Sequence, residues 1–174
     1  TPIPRSLEMS LSGIRDLSVL TTAPLGRQAV RTVVTTFRAA IIQEAIRAEV
    51  RRGGKVFVIH NRIESLPKVR EVLARLVPEA RMVVGHGKMS ANELEEVMWH
   101  FVRGDADVLL STTIVEAGLD IPLANTIIIN QAHRLGLSEL HQLRGRVGRS
   151  SRKATAYLLI PGERVLTADA RKRL

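Results

Sequence analysis

The chain has 174 residues, of which 45% are hydrophobic, enough for one packed core and against a disordered chain. It contains no cysteine, which excludes disulfides and thiolate metal sites, and with 3% aromatics it is poorly equipped to stack nucleic-acid bases. The formal net charge is +9, and residues 134–174 hold ten Lys or Arg against three Asp or Glu, which fits either a polyanionic partner such as nucleic acid or a solvated basic surface without one.

No apolar run approaches the roughly 20 residues that a membrane helix needs, and no signal peptide opens the chain, so a cytoplasmic setting without membrane contact is expected. The first residues, Thr1-Pro2-Ile3-Pro4-Arg5, lack an initiator Met and read as the middle of something longer. Residues 1–30 are broken by prolines at 2, 4 and 24 and glycines at 13 and 26, and read as an irregular lead-in. A β-branched strand is expected over 32–37. An amphipathic helix follows over 39–52, with Ile42, Ala45, Ile46, Glu49 and Val50 at helical spacing, stopped by Gly53-Gly54. Further strands are expected over 55–60, 81–84, 108–111, 126–130 and 154–160. Helices fall between them over 65–76, from Ser90 to about 102, and over 138–147. Ser90 and Glu93 have the spacing of a capping box. Trp99, beside Met98 and Val102, reads as packing rather than base stacking. From 161 the chain leaves the sheet, and 165–174 begins another helix.

Apolar strands alternating with helices predict an α/β domain over 31–160, a parallel sheet covered by helices on both faces. In such sheets, function collects in the loops at the carboxyl ends of strands. His60-Asn61-Arg62, His86-Gly87-Lys88, Ser111-Thr112-Thr113 and Gln131 fall there. His133 and His141 have no carboxylate partner at metal-ligand spacing, and Glu64, Glu93, Glu95 and Glu96 read as helix-surface charges. No metal site is expected.

Two stretches carry chemistry. Gln142-Leu143-Arg144-Gly145-Arg146-Val147-Gly148-Arg149 puts Arg146 and Arg149 three residues apart. At a helix end beside a nucleotide, both guanidiniums could face phosphate oxygens and stabilise the charge that develops in phosphoryl transfer; a solvated Arg-rich loop is the bland alternative. Ser111-Thr112-Thr113-Ile114-Val115-Glu116-Ala117-Gly118-Leu119-Asp120 follows a buried strand. Its hydroxyls and free N–H groups could hold a nucleic-acid phosphate, Gly118 would allow close approach, and Asp120 could accept from a ribose or an arginine. Alone, it could equally be an ordinary strand-to-helix turn. No Gly-x-x-x-x-Gly-Lys-Ser/Thr loop is present; Gly53-Gly54-Lys55-Val56 lacks the upstream glycine and the hydroxyl. The chain thus has the arginine-supplying half of a nucleotide site and not the half that cradles the phosphates.

Together the two stretches resemble motifs V and VI of superfamily-two helicases. The string from Gly136 to Arg149 resembles double-stranded DNA translocases of the RecG and transcription-repair coupling factor type. Residues 1–5 look like the end of motif III, 56–62 like motif IV, and His86-Gly87-Lys88-Met89 like the element after the third strand. Met9-Ser10-Leu11-Ser12-Gly13-Ile14-Arg15-Asp16-Leu17-Ser18-Val19 resembles the bacterial coupling factors in particular. The resemblance implies the second RecA-like motor lobe of such a protein, with ATP and Mg2+ held mainly by a first lobe that carries the phosphate loop. Arg146 and Arg149 would then reach the γ-phosphate, Gln142 would support catalysis, and Gly118 and Asp120 would line the nucleotide. Asn61, Arg62, His86, Gly87, Ser111, Thr112 and Thr113 would contact the backbone of duplex DNA. The lobe alone would be inactive. RNA polymerase, displaced when stalled, and UvrA would bind other domains, and residues 161–174 would begin a helical hairpin. A RecG-type replication-fork lobe and a non-enzymatic RecA-like nucleic-acid-binding domain are the alternative readings.

Overall fold

A computed structural model describes residues 29–112, 124–148 and 152–162. Among them, β1 (Arg31–Thr36), β2 (Lys55–Ile59), β3 (Met82–Gly85), β4 (Val108–Ser111), β5 (Ala124–Ile129) and β6 (Thr155–Ile160) form one sheet in the order β1-β6-β5-β2-β4-β3. Every pairing is parallel, so all six carboxyl ends lie along one edge. The helices are α1 (Ala39–Arg51), α2 (Leu66–Leu76), α3 (Ala91–Arg103) and α4 (Leu137–Arg144).

Two apolar layers sandwich the sheet, as expected for strands apolar throughout. On one face, Ile42 and Ile46 of α1 and Leu66 and Leu73 of α2 pack on Val56, Val58, Val108, Leu110 and Ile128. On the other, Met98 and Phe101 of α3 and Leu140 and Leu143 of α4 pack on Phe57, Ile59, Leu109, Ile127 and Ile129. The odd–even alternation of these strand residues follows from the two-residue side-chain period of a strand. Each fully buried Leu, Ile or Phe contributes about 1.5–3 kcal/mol.

The local signals mostly act as their chemistry requires. The Ser90 hydroxyl accepts from the Glu93 N–H at 3.3 Å, and the Glu93 carboxylate accepts from the Ser90 N–H at 2.8 Å, closing both halves of the capping box. The Ser90 N–H, and after it the Ser90 hydroxyl, donate to the Glu93 carboxyl and hold it below its ordinary range. Gly104 ends α3 at φ 92°, and Gly53 follows α1 at φ 72°; both conformations favour glycine. Ser65 precedes α2 without a side-chain capping bond, because its hydroxyl is engaged by His60.

Three expectations need correction. The strand expected over 126–130 begins two residues earlier, at Ala124. The helix expected over 138–147 ends at Arg144; Arg146 N–H donates to Leu143 O at 3.0 Å and Val147 N–H to Arg144 O at 3.4 Å, tighter turns than an α-helix makes. Trp99 is 53% exposed on the outer face of α3, with the Arg103 guanidinium 4.2 Å from its ring centre. Its neighbour Met98 takes the inward position, so the buried stripe of α3 runs through Met98 and Phe101 and passes Trp99 by.

The amino edge of the sheet is fastened by buried charge. Glu49, 1% exposed, accepts from Arg52 Nε at 3.0 Å and from Thr126 Oγ1 at 2.5 Å. Arg52 also donates to Lys153 O at 3.0 Å, and Arg152 to Arg52 O at 2.7 Å, tying α1 to the approach of β6. Lys55 is 6% exposed and donates to Phe101 O and, at 2.7 Å, to Val102 O at the carboxyl end of α3. A cation there opposes the negative end of the helix dipole, while burial lowers the lysine's pKa.

Candidate nucleic-acid and nucleotide edge

The carboxyl edge gathers the sequence-expected residues of the strand ends that fall within the described segments. From the outer strand inward it presents His86 and Gly87 after β3, Ser111 and Thr112 at β4, His60, Asn61 and Arg62 after β2, and Asn130 and Gln131 after β5. Thr113, Gly118, Asp120 and Arg149 lie outside the described residues.

The β3–β4 corner carries the clearest sign of a ligand. Gly85 pairs with Ser111, and the Thr112 N–H donates to Gly85 O at 3.3 Å, so His86 and Thr112 leave adjacent strands together. Ser111 is 0% and Thr112 2% exposed. The Ser111 and Thr112 hydroxyls and His86 Nδ1 are buried with no hydrogen-bond partner among the described residues. A buried polar group left unpaired costs about 1–3 kcal/mol, and a fold that retains three at one corner has polar atoms ready for a ligand. Extending the alternation of β4, Ser111 points with Leu109 toward α3 and α4, and Thr112 with Leu110 toward α1 and α2. His86 shares Thr112's side, two residues beyond Val84. Thr112 and His86 can therefore serve one ligand, with Ser111 facing the opposite layer. Hydroxyl donors at a strand end suit an anionic oxygen, as of a phosphate.

Next to this corner the chain makes a tight turn after β2. The His60 N–H donates to Ser111 O at 2.8 Å, and the Arg62 N–H to His60 O at 2.8 Å. Asn61 and Arg62 are thereby exposed on the edge. The His60 ring is buried between Ser65 and Asn130. Burial, reinforced by the Arg62 charge, lowers its pKa. Burial and Arg134 do the same to His133.

The arginine-bearing turn is reached from β5. Gln131 adopts a left-handed φ of 55°, and a single 3-10 turn (Ala132–Arg134) leads to α4. Gln142 is exposed on α4, and Arg146 is half-buried just past its end. Between them Leu143 is buried, and Val147, 0% exposed, plugs into the α3–α4 layer. This plug fixes Arg146 relative to the sheet. Glycine is favoured just after it, where Gly148 has φ 77°, and Gly145 before it is tightly placed, since a Cβ there would sit 3.3 Å from the carbonyl oxygens of His141 and Gln142.

Asn130 and Ser65 are not among the residues that the sequence singles out, whereas His60 is, at the head of the His60-Asn61-Arg62 loop. Their polarity next to a buried strand end was the available signal, but their pairing depends on strand order. Among the described residues, no group of three or more His, Asp or Glu could hold a metal ion, and no helix is long and apolar enough to cross a membrane.

The helicase conserved C-terminal domain matches residues 38–151. The whole chain is 52% identical to a segment of the transcription-repair-coupling factor of Escherichia coli (strain K12) and 51% identical to that of Myxococcus xanthus. It spans 15% and 14% of their respective lengths. Among solved structures, RecG bound to a three-way DNA junction superposes with a TM-score of 0.78 at 37% identity, over 99% of this chain and 23% of that one. Saccharomyces cerevisiae Dbp5 bound to Gle1 and IP6 superposes with a TM-score of 0.70 at 15% identity, over 99% and 44%, a likeness of fold alone. The parallel six-stranded sheet and its two helical layers form a RecA-like fold, and the chain belongs to the helicase conserved C-terminal domain family.

Proposed function

We propose that this chain is the second motor lobe of an ATP-driven translocase that moves along double-stranded DNA in transcription-coupled repair and displaces stalled RNA polymerase. The observation that supports this reading is two different kinds of site in one lobe. The buried Thr112 hydroxyl, with His86, suits a backbone phosphate, and the unpaired Ser111 hydroxyl lies beside them facing the opposite layer. Gln142 and Arg146 stand at the end of α4, on a turn pinned by Val147.

In this reading ATP and Mg2+ are held mainly by a first lobe, and ATP supplies the phosphoanhydride that is cleaved. Arg146, with Arg149, pairs with the γ-phosphate and offsets charge as it develops, and Gln142 orients the site; Gly118 and Asp120 line the nucleotide. Asn61, Arg62, His86, Gly87, Ser111, Thr112 and Thr113 grip the DNA backbone. Contacts of this kind carry no base information, which suits a motor that must cross every sequence. RNA polymerase and UvrA engage other parts of the parent protein.

The test is ATP turnover by the parent protein. Arg146→Ala or Arg149→Ala should lower kcat by about 10³ or more, the usual contribution of an arginine finger, with unfolding little changed. Near-normal turnover in both variants would give these arginines a structural role. A second reading, a RecG-type fork translocase lobe, has support in the superposition on RecG bound to a DNA junction. The higher identity to the coupling factors favours the first. Release of a stalled RNA polymerase, against regression of a model replication fork, distinguishes them in the parent protein.

A further inference from the structure

His60 lies at the end of β2, 3% exposed, and both its ring nitrogens are engaged. Nδ1 is 3.0 Å from Asn130 Nδ2, which can only donate, so Nδ1 accepts. The neutral ring then carries its proton on Nε2, which donates to Ser65 Oγ at 2.6 Å. The Ser65 hydroxyl in turn faces Arg62 O at 3.4 Å, and the Ser65 N–H donates to the same carbonyl at 3.3 Å. One side of the imidazole therefore braces the turn that exposes Asn61 and Arg62.

The other side reaches a different part of the edge. Asn130 is fixed by its N–H to Ile59 O at 2.8 Å. It directly precedes left-handed Gln131, where the connection to α4 begins. That connection is short and anchored by buried Ala132 and Leu135, and α4 ends at the Gln142–Arg146 turn. A histidine that only filled space would not need two oriented polar partners on separate loops.

We propose that His60 is a positioning residue that fastens the Asn61–Arg62 turn to the root of the α4 connection, so that nucleotide at the Gln142–Arg146 end changes the grip of this turn on DNA. The inference rests on the translocase reading above. It predicts a coupling free energy between two sites, which can be read as a ratio of affinities. The bridge needs both ends: an amide at 60 can keep one partner or the other, but not both.

The experiment measures Kd for one duplex with the parent protein, with and without the non-hydrolysable analogue AMP-PNP. The native protein should show a nucleotide-dependent ratio, within the roughly 5- to 150-fold usual for such couplings. His60→Ala, His60→Gln and Asn130→Ala should each bring that ratio to within about twofold of one. Asn130→Asp should preserve it, because the ring can shift its proton to Nδ1 and donate to the carboxylate while Nε2 accepts from the Ser65 hydroxyl, which keeps the bridge. A packing role would instead grade the effect by side-chain volume and treat both Asn130 variants alike. Should the His60 variants fail to fold, the partly exposed Asn130 pair decides alone. A native ratio of one, an unchanged ratio in Asn130→Ala, or equal loss in Asn130→Ala and Asn130→Asp overturns the proposal. A parent protein that binds no duplex and turns over no ATP would instead sink the translocase reading itself.

Discussion

Thr112→Val separates a residue kept for the fold from one kept for a ligand. Valine has nearly the shape of threonine and removes only the hydroxyl. Thr112 is 2% exposed, and its Oγ1 has no partner among the described residues. The free protein therefore bears the desolvation of that hydroxyl, about 1–3 kcal/mol, without a compensating bond. The substitution should leave stability unchanged or raise it by about 1 kcal/mol, which in a chain of this size moves Tm up by about 2–4 °C. In the parent protein the same change removes a donor to a phosphate, and a hydrogen bond to a charged group is worth about 1.5–3 kcal/mol. DNA affinity should fall about 10- to 100-fold, equally on unrelated duplexes. If this contact neutralises no charge itself, the salt slope, about −0.9 for each phosphate neutralised, should stay the same. Thermal unfolding of the chain and duplex binding by the parent protein are the two assays. Loss of more than 1 kcal/mol of stability with DNA affinity intact would show that the hydroxyl serves the fold and that the anion site is elsewhere.

Purified alone, the chain should hydrolyse no ATP and bind nucleotide weakly, since Arg146 and Arg149 offer few contacts without a phosphate loop; steady turnover that survives removal of contaminating ATPases would contradict this. Glu49→Ala should destabilise the chain by about 3 kcal/mol in denaturant unfolding, the low end for a broken buried pair because Arg52 is 36% exposed and can rehydrate; a loss below 1 kcal/mol would mean that the network at the amino edge is incidental. His60 and His133 both titrate below their ordinary value near 6.5 when folded. The unfolded chain then binds more protons at mildly acid pH, so stability is full above about 6.5 and falls as pH drops through the interval below it. His60→Gln should flatten that slope between about pH 6.5 and 5, above the range where carboxylates contribute, and an unaltered slope would remove His60 from this explanation.

The fold was legible because most of its signals are local. The apolar run Val56-Phe57-Val58-Ile59, the glycines after α1 and the Ser90–Glu93 box act within a few residues of themselves, and each appears where its chemistry requires. The end of α4 was less legible, because helical spacing continues through Val147 while the backbone tightens beyond Arg144 to bury it. At the carboxyl edge, His86, Ser111 and Thr112 could each be placed at a strand end from sequence, but not next to one another. That adjacency depends on β3 lying beside β4, a contact between distant parts of the chain. The same holds for His60 and Asn130, 70 residues apart and joined only because β2 pairs with β5. Glu49 is half legible: its spacing puts it on the inner stripe of α1 with Ile42 and Ile46, but the partner that satisfies it there, Thr126, is 77 residues away.

The central claim, that this lobe helps to drive movement along intact duplex, is tested most directly by displacement of a triplex-forming strand by the parent protein. The third strand should be released only with ATP, on any duplex sequence, without separation of the duplex strands, and not by the Arg146→Ala variant. Release without ATP, release undiminished in Arg146→Ala, or unwinding of the duplex itself would contradict it.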